Sequence, residues 1–138
     1  VDGLSQTAAM SEHLIGDNVG DGKGPDFLEL ATNNLLSEAD CKGTNFQGNA
    51  GVAWYTAEWQ SYRDIMYNHT RTPNDRRPDC LSKTQKLAIM APSSLHPGGV
   101  NLLRCDGSVR FVSDSIDQQA WWALGSRAGS ELISPDAF

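Results

Sequence analysis

The pair Asp106-Gly107 stands between two apolar runs, Val100-Asn-Leu-Leu-Arg-Cys105 and Ser108-Val-Arg-Phe-Val-Ser113. Asp-Gly so placed is the strongest short-range hairpin signal, because a two-residue type I′ turn needs positive φ at both centres. That turn predicts a hairpin over about 100–113. Cys105 would face Ser108, Leu103 would face Arg110 and Asn101 would face Val112. Leu102 and Phe111 would then share one face, beside Val100 and Val109. After the hairpin, Ser115 predicts the cap of a short helix over Ile116 to Leu124, with Gly125 ending it as C′. Trp121 and Trp122 are adjacent, so one is expected in the core and the other in a contact surface.

The rest of the chain is less regular. Its 138 residues suit one domain over 1–138, and 13 Gly and 6 Pro imply many loops. Thr7 to Ile15 could be a short extended segment, and residues 17–26 are a loop by composition. Leu28, Ala31, Leu35 and Ala39 recur at helical spacing, so a helix is expected from about Asp26 to Asp40. Asp26 would cap it and Glu29 would complete a capping box. Val52 to Tyr55, Tyr62 to Tyr67 and Gln85 to Met90 are candidate strands. The sum is an α+β fold, mainly antiparallel β, with short flanking helices.

A net charge of -6 without a Lys/Arg run makes nucleic acid an unlikely partner. No apolar run approaches the ~20 residues that span a bilayer. Cysteines 41, 80 and 105 match no zinc or haem spacing. A Cys41–Cys80 disulfide with Cys105 free is one reading; it would close about 40 residues and contribute ~4 kcal/mol. Three reduced cysteines are the other.

No pair of histidines or cysteines lies on one helical face, so zinc would need long-range coincidence. Asp17, Asp21 and Asp26 are hard oxygen donors suited to calcium, but their loop is not an EF-hand, and a solvated acidic loop is the plainer reading. No cofactor is otherwise expected. Asn68-His69-Thr70 is a glycosylation sequon. His96 and Asp106 lie on opposite ends of the hairpin, on the order of 20 Å apart at strand rise. They cannot act together, so Asp106 is a turn residue. Gly98 and Gly99 suit a sharp turn or bulge entering the strand. His96 is expected to face Asp114 to Asp117.

These residues carry a resemblance. Ser94-Leu-His96-Pro-Gly98-Gly99-Val-Asn101 through Asp106-Gly107-Ser-Val-Arg-Phe-Val112 resembles the C-terminal signature of bacterial prepilin-type, processing-associated proteins, with their His-x9-Asp-Gly motif. Trp121-Trp122-Ala-Leu-Gly125-Ser-Arg127-Ala-Gly129 matches the stretch that follows in that family. Asp2-Gly3-Leu-Ser5-Gln-Thr7 with Glu12, and Tyr67-Asn68-His69-Thr70 with Pro73-Asn74 and Cys80, are similar to two further family segments. The resemblance implies a pilin-like or pseudopilin-like head domain, starting where the family's C-terminal half begins.

The expected role is a structural, non-catalytic subunit of an extracellular or cell-surface filament, pilus or pseudopilus. Its partners would be other pilin-like subunits in a homo- or hetero-oligomer, including a polypeptide that carries the N-terminal helix. A chain lacking that half should expose strand edges and an apolar patch. Trp54, Trp59, Trp121 and Trp122 are candidate contact anchors, with core packing the alternative for each. A glycan- or protein-binding module with stacked tryptophans is the second reading. A hydrolase using His96 or His69 with a carboxylate is the third, and it also needs a nucleophile nearby.

Overall fold

The computed structural model describes residues 3–30, 37–52, 66–82 and 87–129. Among these the strands are β1 (Ala8–Ser11), β2 (Phe27–Leu30), β3 (Phe46–Gln47), β4 (Asp79–Ser82), β5 (Leu87–Ile89), β6 (Gly99–Arg104) and β7 (Val109–Ser113). One α-helix, α1 (Gln118–Gly125), follows, and 3-10 turns lie at Leu4–Gln6 and Glu38–Asp40. The fold is α+β with mainly antiparallel pairing, as the sequence predicts. Two compact units are present: the described parts of Val1–His13, Asn68–Asp75 and Ala91–Phe138, and those of Leu14–Tyr67 and Arg76–Met90.

The first unit holds an antiparallel sheet in the order β1-β6-β7. The predicted hairpin is there, but one residue out of register. Val100 faces Val112, Asn101 faces Phe111, Leu102 faces Arg110 and Leu103 faces Val109. The turn explains the shift. Gly107 N–H donates to Arg104 O at 3.0 Å, so the loop is the three residues Cys105–Gly107, and of these only Gly107 (φ 86) has positive φ. The Asp106 carboxylate accepts from Ser108 N–H at 2.9 Å and from its hydroxyl at 2.7 Å, closing a local turn that needs no left-handed Asp. A type I turn plus a glycine bulge therefore replaces the type I′ turn. Cys105 sits in the turn, not in a strand. A slip of one residue moves side chains to the opposite face. Val109 and Phe111 thus share a face with Leu103, while Val100, Leu102 and Val112 are buried on the other.

Helix α1 starts two residues later than expected. Its cap is Asp117, whose carboxylate accepts from Gln119 and Ala120 N–H at 2.9 and 3.1 Å. The Ser115 hydroxyl is instead paired with that of Ser113. Gly125 is the last helical residue and not a left-handed C′. A Cβ there would come within 2.6 Å of the His69 ring, so close packing requires this glycine. Trp121 and Leu124 are buried, while Trp122 is about half exposed.

The second unit holds a mixed sheet in the order β3-β2-β4-β5, with β2 and β4 parallel. Here the expected helix over Asp26 to Asp40 is overturned at its start. Residues 27–30 form β2, held between β3 and β4. Phe27 packs with Ala50 and Leu81, while Leu28 packs with Cys80 and Ile89. A strand buried on both faces loses the alternation that marks strands, so its apolar residues also fit a helical period. The Asp26 carboxylate accepts from Gly22 N–H, not from a helix terminus. Further on, Ser37 caps the short Glu38–Asp40 turn through reciprocal bonds with Asp40. The middle of the expected helix (31–36) lies outside the described residues. So do most of the two candidate strands over 52–67, with Trp54 and Trp59. Cys41 and Cys80 form a disulfide with Cα atoms 5.7 Å apart, and Cys105 is free.

Candidate functional site

Most of the residues that carry the family resemblance lie in the first unit, while Tyr67 and Cys80 belong to the second. Strand β1 ends at Ser11, which pairs with Leu102 and brings Glu12 level with Asn101. The Glu12 carboxylate accepts from Asn101 N–H at 2.8 Å, and from the Asn101 amide and the His96 ring at 3.1 Å each. Glu12 O also accepts from Ser93 N–H at 3.0 Å. Partial burial pushes the Glu12 carboxyl up, but the Asn101 bonds and the neighbouring imidazole outweigh it and hold it below its ordinary range. His96 thus turns to Glu12, not to the expected Asp114–Asp117. Asp114 is taken by the Asn74 amide at 2.8 Å.

Asn74 is the second hub. It occupies a left-handed conformation (φ 53), which asparagine tolerates better than most residues. Its amide nitrogen also donates to Gly99 O, and its amide oxygen accepts from Ser94 N–H at 2.8 Å. The Ser94 hydroxyl donates to Gly99 O and accepts from His96 N–H. Gly98 takes φ 81. A Cβ on Gly99 would strike Val112 O and lie 2.8 Å from the Phe111 ring. Both glycines are therefore backbone requirements of the loop that enters β6.

The third knot joins His69 to α1. Its Nδ1–H donates to Trp121 O at 2.7 Å, and its ring stacks on the buried indole with centroids 3.9 Å apart. The indole N–H donates to Arg71 O at 2.6 Å. Burial pushes the His69 pKa down, against the bond to Trp121 O. Asn68 Oδ1 accepts from Thr70 N–H at 3.2 Å, so the sequon closes its own turn.

Chemistry by His96 and Asp106 together finds no bond between them, since each is engaged elsewhere. His96 does have a carboxylate in reach, as the hydrolase reading requires, and it is that of Glu12. Among the described residues no hydroxyl or thiol is hydrogen-bonded to its ring. Sequence reasoning missed Glu12 and Asn74 as hubs; their place in the resembling segments was the one signal available.

Beside the knot, Met10 faces Leu103 and Leu103 faces Val109, so these side chains form a row across three strands, with Phe111 on the same face. Met10 is 65% exposed, Val109 63% and Phe111 48%. In the second unit, Asp21 is set apart from Asp17 and Asp26. Asp21 is turned to Lys23, 3.1 Å from its ammonium. Among the described residues no three His, Cys, Asp or Glu side chains gather to hold a metal, and no helix is long and apolar enough to cross a membrane. Neither curated proteins nor solved structures give a match to the chain. A family model does: residues 1–119 match the family described as Protein of unknown function (DUF1559), SBP_bac_10.

Proposed function

The chain belongs to the DUF1559 family, and from that premise we propose that it is a structural, non-catalytic head of pilin-like type that joins neighbouring subunits in an extracellular or cell-surface filament. The open apolar face of the β1-β6-β7 sheet carries this reading. One side of that sheet is packed, and the other presents Met10, Val109 and Phe111 to solvent. Antiparallel sheets tolerate one wet face, but that face is then normally polar. A row of large apolar side chains across three strands fits a contact surface. The disulfide fits an oxidising compartment. The motif histidine, asparagines and glycines serve as fasteners of backbone, which suits a building block.

The His96–Glu12 pair favours a second reading, a hydrolase. Both Glu12 oxygens are already engaged by Asn101, however, and no nucleophile among the described residues is bonded to His96. The pair is better suited to pinning a loop.

Intact mass spectrometry of the assembly purified from its natural source tests the proposal. The expected result is this chain together with pilin-like subunits bearing an apolar helix. Recovery of this chain only as a monomer contradicts it.

A further inference from the structure

We propose that the loop over residues 17–26 binds one calcium-class divalent cation, through Asp17, Asp26 and the side-chain oxygen of Asn49. Asp26 is only 5% exposed. Its Oδ2 accepts from Gly22 N–H at 2.7 Å, which turns the carboxyl into the loop, while its Oδ1 is buried and meets no donor. Asn49 Oδ1 is likewise buried without a donor.

The two groups belong to neighbouring backbone. Phe27 pairs with Gln47, so Asp26 and Asn49 follow on at the same end of β2 and β3. Asn18 N–H donates to Gly48 O at 2.7 Å and Gly16 N–H to Ala50 O at 2.8 Å, which stitches the acidic loop to residues 48–50. A Cβ on Gly48 would lie 2.5 Å from the nitrogens of Val19 and Gly20, so this approach needs glycine. Asp17 reaches across the loop. Its Oδ1 accepts from Val19 N–H, and a Cβ on Gly24, two residues before Asp26, would lie 3.1 Å from its Oδ2.

The chemistry follows from the donor count. A buried acceptor without a donor is costly, and a buried carboxylate oxygen more so. Among the described residues neither oxygen meets a donor, and a cation shared between them would satisfy both at once. Two carboxylates and an amide oxygen on a glycine-rich loop make a hard, all-oxygen set of charge about −2, which matches a calcium ion whose remaining ligands are carbonyls or water. Magnesium demands stricter octahedral geometry and sheds water reluctantly. Asp21 is outside the set because Lys23 holds it.

Thermal unfolding of the full chain in about 1 mM calcium chloride, against the same buffer with chelator, is the test. If calcium is present at roughly tenfold over Kd, the midpoint should rise by about 3–6 °C. Equilibrium dialysis with radiolabelled calcium should find about one ion per chain. Asp26→Asn and Asp17→Asn should each lose the rise, Asp21→Asn should keep it, and the same concentration of magnesium should give a smaller one. A midpoint indifferent to calcium overturns the proposal, and so does a rise that survives in both Asp26→Asn and Asp17→Asn. Should Asp26→Asn fail to fold, Asp17→Asn decides alone.

Discussion

Glu12 shows how one side chain can hold two segments far apart in sequence. Its carboxylate takes a main-chain N–H from β6 and the ring that precedes that strand. Glu12→Ala strands the Asn101 N–H and amide, and should cost about 1–2 kcal/mol in urea denaturation, tempered because the site is partly solvated. Since the folded carboxyl sits below its unfolded value, this contribution is fully present above about pH 4.5 and fades as pH falls through the folded pKa. His69 acts with the same sign for another reason. It is held neutral by burial, so below about pH 6.5 the unfolded chain takes up a proton that the folded chain resists. Stability should therefore decline from pH 6.5 downward, and His69→Asn should flatten that decline in a pH series of melts. Gly125→Ala drives a methyl into the His69 ring and should cost about 1–3 kcal/mol.

At the level of elements, the C-terminal hairpin was legible because Asp-Gly marks a bend wherever two apolar runs flank it. Its register was not, because Asp106 satisfies its turn through Ser108 and leaves positive φ to Gly107 alone. The start of α1 was misjudged by the same kind of competition, Asp117 capping where Ser115 also could. Residues 27–30 misled more deeply. Leu28 is buried by partners in β4 and β5, distant in sequence, which no local period reveals. The Cys41–Cys80 pairing was readable from loop context. Cys41→Ser with Cys80→Ser should cost about 2–4 kcal/mol, seen as a lower urea midpoint, while Cys105→Ser should change little. In the site, Gly98, Gly99 and Asn101 stand out in the sequence, but Glu12, which Asn101 bonds, lies 89 residues away from it, beyond any spacing rule.

For the molecule as a whole, the residues that carry the resemblance hold backbone segments of the first unit together. His96, Asn101, Asn74 and Glu12 fix the loop and strand on which the exposed row is mounted. Substitutions on that row should then separate folding from assembly. Val109→Asp with Phe111→Asp should lower the melting midpoint only modestly, because both side chains are about half exposed or more. Under the proposed filament role, the same pair of changes should weaken incorporation into the assembly. Hydroxyl-radical footprinting of the isolated chain against the native assembly is the most direct measurement, since methionine and aromatic side chains label readily. Met10 and Phe111 should lose most of their labelling in the assembly. Equal labelling of both residues in the two states would contradict a contact role for this face.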